Sequence, residues 1–108
     1  MREDQIVFIN LIIMKTRFYI IVEMKVPDGI VDYGRFYIGD EPEFAHDLFD
    51  RLDGHLDPEL QFMLHIHLVE KSADASLLKK SKGCSLESFT ENCRLITRET
   101  FKFLNLEK

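Results

Sequence analysis

Alternation of apolar and polar residues is clearest in the second half of the chain, between Leu60 and Lys71. The even-numbered residues there are large and apolar: Leu60, Phe62, Leu64, Ile66 and Leu68. Because successive side chains of a strand point to opposite faces, this pattern predicts a strand with one face in a core. The odd-numbered positions form a second, mixed face that carries His65 and His67.

A second alternating segment runs from Thr16 to Val26 and predicts another half-buried strand. Pro27, Asp28 and Gly29 follow it and are typical of a tight turn. We therefore expect the next segment, residues 33–38, to be a short strand that returns antiparallel to the first.

Two helices are predicted. Asp40 is the expected N-cap of the first, Pro42 suits its first turn, and apolar residues recur at helical spacing over residues 44–52 before Gly54. Ser85 is the expected N-cap of the second helix, which runs towards the end of the chain.

Two other segments are less regular. Residues 72–83 have no clear periodicity and are predicted to be a loop. Residues 6–14 are rich in isoleucine, which favours a strand. Residues 1–14 are then either an extra edge strand or an extension ahead of a natural start at Met14, and both interpretations stay open.

The order strand, strand, helix, strand, helix predicts a single α+β domain over residues 1–108. We expect a two-layer sandwich in which a small, mostly antiparallel sheet of three or four strands has two helices packed on one face. The helix between the second and third strands acts as a crossover, which predicts a mixed sheet.

The net charge and its distribution limit the kinds of partner that we expect for this chain. The formal net charge is −5, which argues against nucleic acid. Residues 40–59 contain eight acidic side chains and one basic one, whereas residues 71–102 contain seven basic and four acidic ones. Such a dipolar surface suits self-association or a charged ligand. The apolar run over residues 6–14 is too short for a membrane span, and it lacks the basic start of a signal peptide.

Cys84 and Cys93 are the two cysteines, and without a secretory signal they favour reduced thiols in the cytoplasm. Cys84 precedes a predicted helix and follows Lys82, so it could act as a nucleophile with His65 or His67 as its base. An ordinary loop cysteine is the interpretation that we favour.

His65 and His67 are also a candidate metal site. Histidines two residues apart on a strand point the same way, and Glu23 on the neighbouring strand could be a third ligand. The favoured alternative is that the two imidazoles belong to a half-wet sheet face or a subunit contact. No cofactor is identified by any motif.

A candidate anion or nucleotide site is the basic segment 79–85, where Lys79, Lys80 and Lys82 precede a helix N-terminus. A solvated basic loop is favoured over it, because the glycine spacing of a phosphate-binding loop is missing.

The face opposite the helices is expected to leave aromatic and apolar groups in water, and such a patch marks an interaction surface. Its candidate ligand or interface residues are Tyr19, Ile21, Tyr37, Met63, His65, His67 and Val69. The favoured function is therefore a small cytoplasmic protein that forms a homodimer or binds a protein partner and has no catalytic activity of its own. The alternatives are an enzyme or metal- or ligand-binding domain that uses the histidines, and anion or nucleotide binding at the basic segment.

Overall fold

A computed structural model describes residues 16–106, so the predictions for residues 1–14 lie outside the described part of the chain. The elements in order are β1 (Arg17–Val26), β2 (Gly29–Tyr37), α1 (Pro42–Arg51), β3 (Leu64–Lys71), β4 (Ser76–Cys84) and α2 (Leu86–Phe103). The four strands form one sheet in the order β2-β1-β3-β4. The predicted α+β fold class is confirmed.

The crossover through α1 does not produce a parallel pair. β3 pairs with β1 rather than with β2, so β1 lies between the two strands that run in the same direction. Every strand pair within residues 16–106 is antiparallel. The expected mixed sheet was wrong for this reason, although the crossover itself is present.

The core lies between one face of the sheet and both helices. Its fully buried members include Phe18, Ile20, Val22, Ile66 and Leu68 from the strands and Ala45, Leu48, Phe49 and Ile96 from the helices. Removal of these groups from water is the main force that holds the two layers together. We call the opposite side of the sheet, which carries Tyr19, Ile21, Glu23, His65 and His67, the outer face. In residues 16–106, neither helix combines the length and the apolar character needed to cross a bilayer.

The loop prediction for residues 72–83 was wrong, because most of this segment forms β4. Residues 72–75 make the turn, in which the Ser72 N–H donates to the Ala75 carbonyl at 2.9 Å. The pairing register shifts at Lys79, since Leu68 is opposite Lys80 and Val69 is opposite Leu78. This bulge interrupts the two-residue period and removes the usual sequence signal of a strand.

The first helix begins one residue later than the predicted capping implies. Its N-cap is Glu41, not Asp40, and the Glu41 side chain accepts a hydrogen bond from the Glu43 N–H at 3.4 Å. The residue before a proline favours extended backbone, which an N-cap also requires, and Glu41 directly precedes Pro42. Ser85 caps α2 as expected, through the Ser88 N–H.

Candidate functional site

His65 and His67 both project from the outer face of β3, and β1 lies beside β3, as the sequence predicted. In the observed register His65 is opposite Glu23 on β1, and His67 is opposite Ser81 on β4. His65 is buried and His67 is half-buried. The two imidazoles are therefore placed by three neighbouring strands rather than by flexible loops.

His67 links a hydroxyl to a carboxylate. Its Nδ1 lies 2.6 Å from Ser81 Oγ, and its Nε2 lies 2.7 Å from Glu23 Oε1. A carboxylate only accepts hydrogen bonds, so Nε2 carries the proton that points at Glu23. In the neutral ring Nδ1 then has a lone pair that accepts the Ser81 hydroxyl proton.

His65 has a carboxylate partner of its own. Its Nε2 lies 2.8 Å from Asp57 Oδ2, and Asp57 also accepts the backbone N–H groups of Gln61 and Phe62, each at 2.7 Å. Desolvation alone would raise the pKa of Asp57, but the Phe62 and Gln61 amides and His65 together lower it below its usual value. Asp57 is therefore held as an anion that fixes the His65 ring.

The segment of residues 55–62, which we call the cover loop, brings Asp57 onto the outer face. The predicted start of the strand at Leu60 was wrong, because β3 begins at Leu64 and Leu60 is 39% exposed in the loop. His55 and Gly83 exchange two backbone hydrogen bonds, of 2.9 and 2.7 Å, which attach the start of the loop to the β4 edge. Lys25 Nζ donates to the Leu60 carbonyl at 2.7 Å and holds the far end. A Cβ atom on Gly83 would lie 2.8 Å from Asp57 Cβ, so glycine permits this close approach.

The cover loop and the strands line an open cleft of about 390 Å³, which we call the outer pocket. This volume is within the usual range for small-molecule sites, about 300–1,000 Å³. Both histidines and Ser81 line it, so it joins apolar walls to groups able to move a proton. Its lining residues are Leu56, Asp57, Pro58, Leu60, His65, His67, Ser81, Lys82 and Gly83.

The remaining outer-face candidates cluster around Tyr19. The rings of Tyr19 and Tyr37 have centroids 5.5 Å apart, and the cationic groups of Arg35 and Lys71 lie 5.9 and 5.7 Å from the Tyr19 centroid. Val69 is buried beside this group, in register with Tyr19. Ile21 is half-buried. These residues form an aromatic area separate from the histidine networks.

Met63 belongs to neither group. It precedes β3, is 65% exposed, and lines a second cleft of about 270 Å³ together with Cys84 and Phe89. Cys84 itself is 2% exposed, and burial raises its pKa to about 11. The structure therefore argues against Cys84 as a nucleophile.

The three candidate anion-binding lysines are not arranged as one site. Lys80 Nζ lies 2.7 Å from Asp50 Oδ1, and Lys82 Nζ donates to the carbonyls of Phe49 and Leu52 at 2.8 and 2.7 Å. Burial lowers the pKa of Lys82, and its ammonium group caps the end of α1. Lys79 is exposed at the bulge.

The metal-site residues are also divided between partners. His65 is bonded to Asp57, whereas His67 is bonded to Glu23. In the described range 16–106, no group of three or more His, Cys, Asp or Glu side chains is close enough to hold a metal ion. The structure thus pairs each histidine with one carboxylate and does not assemble the set of His65, His67 and Glu23 as three ligands.

Comparison with known proteins gives no further guidance, since no protein-family model, curated protein or solved structure matches this chain.

Ser81 and Asp57 are site residues that the sequence did not indicate. Ser81 was placed in a predicted loop, and only the pairing of β4 with β3 sets it beside His67. Asp57 precedes Pro58 in a segment without periodicity, and it reaches His65 by folding back over the sheet. If the pairing of β4 with β3 had been predicted, it would have placed Ser81 beside His67. No local feature of the sequence points to Asp57.

Proposed function

We propose that this protein associates with a second copy of itself through the edge of β2. The observation that carries this proposal is the exposure of β2: eight of its nine residues are exposed. The large apolar ones are Ile30, Val31, Tyr33 and Tyr37, at 53, 46, 59 and 46% exposure. A long apolar edge strand favours pairing with another chain.

The two edges of the sheet differ. On β4, the bridge between His55 and Gly83 covers one end, and Lys79 and Lys80 lie in the middle, next to the exposed Leu77 and Leu78. Lysines and covering segments are common means of preventing edge pairing. β2 carries no lysine. This asymmetry supports β2 as the pairing edge.

The backbone of β2 has hydrogen-bonding groups directed outward. Phe18 bonds to Ile38 and Gly39, so the even-numbered residues of β1 direct their peptide groups towards the β2 side. Bonding direction alternates along an antiparallel strand, and β2 has a bulge near Tyr33. The outward peptide groups therefore belong to Ile30, Asp32, Arg35 and Tyr37.

Charge favours a second copy as the partner. Asp32 and Arg35 are in register with Glu23 and Ile21, so both lie on the outer face. Antiparallel pairing about a two-fold axis near residues 33 and 34 brings Asp32 of one copy beside Arg35 of the other, twice. The same arrangement sets Ile30 beside Tyr37. Such a self-complementary patch is what a two-fold dimer requires.

We expect the dimer to be weak. A strand of nine residues spans about 30 Å, and its pairing buries an area at the lower end of specific interfaces. The free thiols of Cys84 and Cys93 are compatible with association in the reducing cytoplasm.

Sedimentation equilibrium over a range of protein concentrations tests the proposal. The wild-type chain should shift from monomer to dimer, and Arg35→Glu should weaken the dimer about tenfold, because it replaces two attractions by two repulsions. Arg94→Glu makes the same charge change on the exposed surface of α2 and should have no effect. A wild-type chain that stays monomeric throughout contradicts the proposal.

A further inference from the structure

Ser81, His67 and Glu23 form one hydrogen-bonded chain at the wall of the outer pocket, with links of 2.6 and 2.7 Å. A hydroxyl, an imidazole and a carboxylate in this order are the parts of an activated serine nucleophile. We propose that Ser81 is the nucleophile of an ester hydrolysis carried out in the outer pocket. This activity is independent of association through β2.

The ring nitrogens of His67 exchange the roles that they have in the familiar serine–histidine–acid triad, where the serine contacts Nε2. The chemistry requires only that base and orienting group use opposite ring nitrogens. Glu23 accepts a hydrogen bond from the protonated Nε2, which leaves the Nδ1 lone pair directed at Ser81 Oγ. The tautomer needed for a general base is therefore the one that the hydrogen bonds select.

The three groups are held on three paired strands, Glu23 on β1, His67 on β3 and Ser81 on β4. Side chains on strands are positioned more accurately than those on loops, and accuracy of position is a large part of catalysis. His67 keeps 18% of its side-chain surface exposed, so the network is accessible from the pocket.

The walls of the outer pocket indicate the class of substrate. Leu56, Pro58 and Leu60 give one apolar side, which suits a short apolar acyl group. The cleft of about 390 Å³ accepts a small ester rather than a folded protein. Gly83 bonds outward to His55, so by alternation the Ser81 N–H also points away from β3. That amide is one donor available to the developing oxyanion.

The proposed reaction has two steps, acylation and deacylation, and atoms and charge balance in each. Ser81 Oγ attacks the carbonyl carbon while its proton moves to His67 Nδ1, and Glu23 stabilises the imidazolium. The alcohol departs with that proton and leaves an acyl ester on Ser81. Water then attacks the acyl carbon and gives a proton to Nδ1. The carboxylic acid leaves, and Ser81 recovers its hydroxyl proton.

A fluorophosphonate probe tests the nucleophile, because an activated serine oxygen attacks the phosphorus of the probe and displaces fluoride. Intact mass and peptide mapping of the wild-type chain should find one adduct, on Ser81. Labelling should disappear in Ser81→Ala and be unchanged in Ser76→Ala, which alters an exposed serine of the same strand. Absence of an adduct on Ser81 in the wild-type chain would overturn the proposal, and this result needs no variant.

Hydrolysis of p-nitrophenyl butyrate tests whether the hydrogen bonds of His67 activate Ser81 or are only structural. Glu23→Gln should lower the rate of Ser81 labelling and of ester hydrolysis at least about a hundredfold, since it removes the group that orients the base. Ser81→Ala should abolish the hydrolysis. Ester hydrolysis that persists in Ser81→Ala, or Ser81 labelling indifferent to Glu23→Gln, would mean that the network only satisfies buried polar groups.

Discussion

Glu23 Oε1 and His67 Nε2 are 2.7 Å apart although 44 residues separate them in the chain. β1 and β3 are paired so that His67 is opposite Ile21, and Glu23 occupies the next outer-face position along β1. Diagonal neighbours across an antiparallel pair are within reach of long side chains. The sheet register, rather than any loop, therefore sets the orientation of the His67 ring.

This contact predicts the His67 tautomer. At a pH where the ring is neutral, the proton should reside on Nε2, because Glu23 accepts it and Ser81 donates to Nδ1. Nitrogen-15 NMR of the histidine side chains distinguishes the two tautomers directly. Glu23→Gln should reduce the preference for Nε2, and the His46 ring, on α1, serves as an internal reference. Protonation of His67 on Nδ1 in the neutral wild-type ring would contradict this hydrogen-bond assignment.

Gly83 is predicted to be essential to the cover loop. In Gly83→Ala the new Cβ would lie 2.8 Å from Asp57 Cβ and 2.9 Å from Phe62 Cδ2, so the loop must move. We expect a loss of about 1–3 kcal/mol in the free energy of unfolding, measured by urea denaturation.

Gly34→Ala is the matched control, because a Cβ there meets no atom within 4 Å. Residue 34 lies at the proposed dimer axis, so the comparison is made at a concentration where the chain is a monomer. There Gly34→Ala should leave stability unchanged or raise it slightly, since glycine weakens a strand relative to alanine. Equal stability of Gly83→Ala and the wild-type chain would show that the cover loop does not press on β4.

Asp57 should make the protein sensitive to acid. Its pKa is lower in the folded chain than the ordinary aspartate value of about 3.9, so its contribution to stability is fully present above that value. The contribution is lost as the pH falls through the lowered pKa. Asp57→Asn should therefore destabilise the protein most at neutral pH, and its difference from the wild-type chain should shrink in acid.

Urea denaturation of both chains as a function of pH measures this difference. Asp74→Asn removes one carboxylate from the exposed turn between β3 and β4 and controls for the change in net charge. A destabilisation by Asp57→Asn that stays constant down to strongly acid pH would show that the Asp57 charge has no part in holding the cover loop.

Part of this structure is legible in the sequence. β1 and β3 have one face in the core, so their apolar residues alternate, and the shared direction of His65 and His67 follows from that period. β2 was predicted to begin at Tyr33 but begins at Gly29. Ile30 and Val31 are both exposed, so no alternation marks the start of that strand.

The rest depends on contacts between distant segments. The bulge at Lys79 interrupts the alternation of β4, so the sequence does not show that this segment is a strand. The position of Ser81 opposite His67 could therefore not be predicted. Asp57 reaches His65 only because Gly83 lets the cover loop approach the strand. Residue types alone did not separate a metal pair from two imidazole–carboxylate pairs, because that difference is set by the register and by the loop.

The most direct test of association through β2 mixes two variants, each of which should form only a weak dimer with itself. Asp32→Arg and Arg35→Glu each create like-charged pairs across the proposed two-fold axis, whereas a heterodimer of the two restores opposite charges in both pairs. We predict that an equimolar mixture sediments as a dimer at a concentration where each variant alone is a monomer. In a mixture of Asp32→Arg with Arg94→Glu, only Arg94→Glu should dimerise, with itself, and Asp32→Arg should stay monomeric. Sedimentation of the complementary mixture as monomers alone would contradict pairing through this edge.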